Sequence, residues 1–154
     1  MFLRNEEFMP HVIELAQAGH EVTIPLRGFS MRPYLEDKRD NAVMARITEP
    51  LKVADVVLAE ISPGRYVLHR IVGLNGDKVR LWGDGNLNPD PVINVEGVKL
   101  IAKGFYRKGN KKLDSVDSRC YRFYSILWIK LIPVRRWLLA IWRRLPVSFR
   151  ERLV

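Results

Sequence analysis

Along the first 110 positions the hydrophobic pattern changes its period. In NEEFMPHVIELAQAGHE, Phe8, Val12, Leu15 and Ala16 recur at helical spacing, which predicts a short amphipathic helix. Pro10 is compatible with that helix only near its first turn, and Gly19 stands where a C′ residue closes one. The period then shortens to two. In EVTIPLRG, Val22, Ile24 and Leu26 alternate with Glu21, Thr23 and Pro25, the pattern of a strand with one buried face. Pro25 has no N–H to give to a ladder, so this strand should lie at a sheet edge or stop early. NAVMARI and ADVVLAEI read as short strands, RYVLHRIVGLNGDKVRLWGDGN as a hairpin turning at Asn75-Gly76, and VKLIAKGFYR as a last strand. So many short strands punctuated by Gly and Asn predict a mainly β (α+β) fold, a compact antiparallel sheet domain over residues 1–110.

Beyond residue 110 the helical period returns. In CYRFYSILWIKLIPVRRWLLAIWRRLPV, Pro133 divides two helical pieces and Pro146 ends the second. On the second piece Val134, Trp137, Leu138, Ile141, Trp142 and Leu145 gather on one side. Arg135, Arg136, Arg143 and Arg144 gather opposite, and Leu139 is the exception. Tryptophans on an apolar face and arginines on a polar one suit a helix lying in a membrane interface, so residues 120–146 are a candidate membrane-surface segment. The same pattern also suits a helical hairpin packed on the β domain or on a second subunit. Residues 111–154 are therefore read as a basic, Trp-rich amphipathic tail.

Charge sharpens that division. The chain of 154 residues carries a formal charge of +9. Up to Asn110 there are 15 Lys and Arg against 14 Asp and Glu; from Lys111 onward there are 11 against 3. The basic character belongs to the tail, where it accompanies apolar residues rather than a flexible Lys/Arg arm. That argues against nucleic acid as the partner. The single cysteine, Cys120, allows no intrachain disulfide and makes no metal site alone. No signal peptide or run of about 18 uncharged apolar residues is apparent, so the expected location is cytoplasmic or peripheral to a membrane.

The stretch RGFSMRPYLED sets Ser30 among Gly28, Phe29, Met31 and Pro33 in an order that no regular element requires. A nucleophilic serine needs a base, and usually a third group to hold that base. His11 and His20 flank the predicted N-terminal helix and suit solvated roles. His69 shares a strand face with Val67 and Ile71 and is followed by Arg70, which suits pairing with a carboxylate.

These pieces resemble the signal peptidase I superfamily, which joins type I signal peptidases to LexA-like self-cleaving repressors. G-F-S-M-R-P resembles its nucleophile box. ADVVLAE is similar to its Gly-Asp-hydrophobic strand, with Ala54 where glycine is usual and Asp55 retained. YVLHRIVG resembles its second catalytic box in the archaeal and endoplasmic-reticulum form, His followed by Arg. GDGNLNPD resembles its acidic box. The similarity covers about residues 20 to 107.

It implies a serine peptidase without metal or organic cofactor, cleaving a peptide or protein precursor. Ser30 would be the nucleophile and His69 the base; Asp90, or failing that Asp84, would hold the imidazole. The Ser30 N–H would serve as an oxyanion donor. Gly28, Phe29, Met31 and Pro33 would form the substrate-binding side of the loop, with Tyr34 adding apolar surface. Turn formation is the other reading of both aspartates, since Asp, Asn, Gly and Pro cluster there. A peptide-binding module without catalysis, or a membrane-surface binding protein, are the alternatives.

Overall fold

The computed structural model describes residues 5–146 and 148–150. Its elements run α1 (Asn5–Gln17), β1 (Val22–Pro25), β2 (Asn41–Ala45), β3 (Val56–Ser62), β4 (Arg65–Asn75), β5 (Lys78–Trp82), β6 (Ile93–Asn94), β7 (Val98–Tyr106), β8 (Asp114–Ser115), α2 (Arg119–Lys130) and α3 (Arg135–Arg144). The strands form one antiparallel sheet in the order β1-β2-β7-β3-β4-β5-β6, with β8 beside β7.

Strand β3 shows why the core has two parts. Its run VVLA is apolar throughout because both of its faces are covered. Val56 and Leu58 join α1, β1, Met44 and Phe105 in one cluster, while Val57 and Ala59 join Ile71, Val79 and Leu81 in another. Strand β1 is an edge strand and ends at Pro25, as that residue requires.

Several sequence expectations shift in detail. Val12 and Ala16 of α1 are buried, but Leu15 is exposed; Met9 and Ile13 pack on the core instead. Pro10 sits inside the described helix rather than in its first turn, with its ring exposed. Gly19 does close α1, at φ +99°. The hairpin turns one residue later than expected. Asn75 pairs with Lys78, so the loop is Gly76-Asp77, and Gly76 alone takes a positive φ, +59°. Glycine first in a two-residue loop is the type II′ pattern, whereas Asn-Gly suits type I′. Strand β7 is not the last, because β8 follows it.

Ala54, just before β3, has φ +84°, a conformation that favours glycine. Its N–H donates to Ile71 O at 2.8 Å and its carbonyl accepts from Arg70 Nη1 at 3.0 Å, so the backbone is held there regardless of side chain. Ala54→Gly is expected to stabilise the fold by about 0.5–1 kcal/mol, the strain relieved outweighing glycine's extra unfolded-state entropy. Calorimetry should show a rise of about 1–4 °C in Tm.

Beyond residue 110 the chain packs its helices on the sheet. Ser118 caps α2 by accepting from the Tyr121 N–H at 3.2 Å. The helix then buries Tyr121, Ser125 and Trp128 against the sheet. Beneath it lies a fully buried ion pair. Arg70 Nε and Nη2 donate to the two carboxylate oxygens of Asp84 at 2.9 and 2.7 Å, and Arg70 Nη1 donates to Ser125 Oγ at 2.7 Å. Burial alone would depress the guanidinium pKa; the Asp84 carboxylate raises it instead.

Helix α3 docks by the side that hydrophobicity would have turned outward. Arg135 and Leu139 are buried, while Trp137 and Ile141 are about 60% exposed. Arg135 donates to Gly83 O and Trp128 O, both at 3.3 Å, and its guanidinium lies over the rings of Trp82 and Trp128.

Candidate functional site

Ser30 lies on the segment between β1 and β2, residues 26–40, and Asp40 closes that segment. The Leu26 N–H donates to Asp40 O at 3.0 Å, the Glu36 N–H donates to Asp40 Oδ2 at 2.9 Å, and Arg39 holds both carboxylate oxygens at 2.7 and 2.8 Å. The Lys108 N–H reaches in from beyond β7 at 3.0 Å. Burial opposes ionisation of Asp40, but Arg39 and the two backbone donors outweigh it and hold its carboxyl below the usual 3.8.

A depressed folded pKa gives stability that is present above the unfolded value and lost as pH falls through the folded one. Asp40→Asn is therefore expected to cost roughly 1–3 kcal/mol at neutral pH. It should also flatten the acid limb of a stability–pH curve measured by denaturant unfolding. An unchanged acid limb would assign that limb to other groups.

Inside the segment the chain turns at Gly28, φ +86°, whose N–H donates to Asp37 Oδ1 at 2.7 Å. Met31 and Leu35 point into the core, and Phe29 stays more than half exposed with the Arg32 guanidinium 4.0 Å over its ring. Arg32 also pairs with Glu36. Tyr34 does not face outward as expected. Its ring packs against Phe105, Tyr121 and Tyr124, with Arg107 3.7 Å above it.

His69 is 4% exposed and stands on β4 opposite Val57. Its Nδ1 lies 2.5 Å from Asp90 Oδ2. Asp90 is held in turn by its own N–H, which donates to Leu81 O at 3.0 Å. The two aspartates thus separate: Asp90 meets His69, whereas Asp84 is committed to Arg70, with the Tyr124 hydroxyl donating to it at 3.3 Å.

Ser30 and His69 line one cavity of about 310 Å³, together with Gly28, Met31, Asn86 and Asp90. No described hydrogen bond joins Ser30 Oγ to His69 Nε2. Nor does any described acceptor take the Ser30 N–H.

The glycines of GDGN bring these parts together, and the sequence reading gave them no role. A Cβ at Gly83 would lie 2.6 Å from Ser30 O and 2.9 Å from His69 Nε2; one at Gly85 would lie 2.5 Å from Phe29 O. The Gly85 N–H donates to Ser30 O at 2.7 Å. Backbone therefore packs on backbone, and no side chain fits between. Two glycines flanking one aspartate are a usable signal of such an approach.

A second cavity, about 500 Å³, is also lined by Ser30. It is lined by Phe29, Arg32, Gly85 and Asn86, and by Leu139, Trp142 and Arg143 of α3. Pro33, expected on the substrate side, lines neither of these two cavities. Among the described residues no three His, Cys, Asp or Glu side chains converge to hold a metal. No family model matches the chain, and no curated protein or solved structure matches it either.

Proposed function

We propose that the protein is a serine endopeptidase of the signal peptidase I and LexA-like type, acting on a peptide or protein precursor. The observation that carries this reading is the 2.5 Å contact of His69 Nδ1 with Asp90, made while the imidazole and Ser30 line one cavity. The carboxylate fixes the tautomer that leaves Nε2 free to accept a proton. With substrate bound, Ser30 Oγ attacks the scissile carbonyl and its proton passes to Nε2. The same proton then goes to the leaving amine, and water hydrolyses the acyl-enzyme. The Ser30 N–H faces the developing oxyanion. The attack requires the Ser30–His69 bond to close, a tightening that substrate commonly brings.

Substrate would enter as an extended chain. Strand β4 pairs with β3 along residues 65–70 but with β5 only from Arg70 onward, so residues 65–69 present an edge without a strand partner among the described residues. That edge runs along the Ser30 cavity and ends at His69. Main-chain bonds to it would supply affinity, and the apolar wall of Leu26, Met31 and Leu35 would select a side chain.

The deciding experiment compares protein N-termini in cells carrying Ser30→Ala with those of the parent. N-termini lost in the variant would be its cleavage products, and identical sets would count against processing. A peptide-binding module without catalysis is the second reading, favoured by the open Ser30–His69 contact. It gains if Ser30→Ala still performs the cellular task.

A further inference from the structure

The tail has an inner face packed on the β domain and an outer face that nothing covers among the described residues. On α2, Tyr121, Ser125 and Trp128 face the sheet, and on the opposite side Phe123, Ile126 and Leu127 are 70%, 52% and 42% exposed. On α3, Arg135 and Leu139 face the sheet, while Trp137 and Ile141 are 63% and 59% exposed. Spacings of three and four keep each exposed set on one side of its helix. Neither set is left over from a poor fit to the β domain, because each helix has already spent its other side on that contact.

The charge around this face is of one sign. Residues 119–146 hold seven Lys and Arg and no Asp or Glu. Arg135 is buried; Arg119, Arg122, Lys130, Arg136, Arg143 and Arg144 are exposed. A second copy placed here would bring two cationic rims together without an anion to neutralise them. A surface of negative charge over a hydrocarbon interior satisfies both halves of the pattern. Trp137 suits its boundary, since indole has an apolar body and one polar N–H.

We propose that the outer faces of α2 and α3 bind the surface of an anionic lipid bilayer. Among the described residues no helix is long and apolar enough to cross a membrane, so the contact is interfacial. The β domain goes with the tail, because Tyr121, Ser125 and Trp128 tie them together. Helix α3 also walls the cavity beside Ser30 through Leu139, Trp142 and Arg143. Binding therefore sets that cavity about one helix diameter, roughly 10 Å, from the lipid headgroups.

Flotation of the full chain with two kinds of vesicle tests this, one of phosphatidylcholine alone and one containing phosphatidylserine. The chain should float with the second and far less with the first, and added salt should weaken the binding. Trp137→Glu with Ile141→Glu changes only exposed positions. It should keep the parent's circular dichroism and lose at least about tenfold in binding. Ser30→Ala should bind like the parent, which separates this proposal from the peptidase reading. A parent chain that stays unbound with both vesicles would overturn it, as would a double variant that binds unchanged. Concentration-dependent dimerisation abolished by the double variant, without vesicle binding, would overturn it in favour of a self-interface.

Discussion

Asp90→Asn is expected to lower peptide-bond cleavage by about 10⁴-fold while leaving the fold in place. The Asp90 carboxylate lies 2.5 Å from His69 Nδ1, and in the proposed mechanism it accepts the Nδ1–H so that Nε2 is left to take the serine proton. An asparagine can turn its amide N–H toward Nδ1. The imidazole then carries its proton on Nε2, where it cannot take one from the serine. Folding should survive, because Asp90 is anchored by its backbone N–H on Leu81 and sits at the cavity rim rather than in the core. The rate is read on a peptide spanning a cleavage site found by the N-terminal comparison, with circular dichroism as the control for folding. A rate within about tenfold of the parent would remove Asp90 from the proposed machinery.

Asp84→Ala should act in the opposite manner, on stability first. It leaves the Arg70 guanidinium buried without its carboxylate, a change that costs about 3–5 kcal/mol in comparable buried pairs. Domains of this size have about 5–15 kcal/mol in all, so the variant should unfold at markedly lower denaturant concentration. Ala54 O, Tyr121 and Ser125 still accept from Arg70, but none of them carries a neutralising charge. Replacing both partners, as Arg70→Met with Asp84→Leu, should recover much of the loss by removing both charges from the interior. If Asp84→Ala unfolds within about 1 kcal/mol of the parent, the pair contributes little and the tail is held by its aromatic contacts.

The pair of experiments separates two aspartates that the sequence left open. GDGNLNPD contains both, six residues apart, and either could have reached a histidine from a loop. What decides is how the loop returns along β5. The bond from Asp90 N–H to Leu81 O brings the second aspartate back beside the strand, and the buried arginine occupies the first. Neither fact has a local signature.

The strands were legible where one face is buried and the other wet, as at Val22 and Ile24, although the expected strand ran on to Leu26 and β1 stops at Pro25. Pro25 marked its edge correctly for a covalent reason. The orientation of α3 was not legible. A helical wheel ranks side chains by hydrophobicity, but Arg135 turns inward because carbonyls of Gly83 and Trp128 and two indole rings await it. Leu15 was misplaced for a related reason: α1 meets the sheet along Val12 and Ala16, with Met9 and Ile13 beside them, a line slightly rotated from the one its spacing suggested.

The dependence of Arg70 and Asp84 on α2 also sets an order for biosynthesis. Every long strand of the sheet has been translated by residue 106, yet the ion pair stays open to water until residues 121–128 are made. Gly83 gains its contact with Arg135 later still. Arg70 thus precedes Ser125, its hydrogen-bond partner on α2, by 55 residues. Nascent chains arrested after residue 110 are expected to be cut readily by an added protease within β4 and β5, and chains extended past α3 to resist. Equal resistance at both lengths would show that the sheet matures without its tail. The buried charges of this fold are therefore the last part of it to be closed off from water.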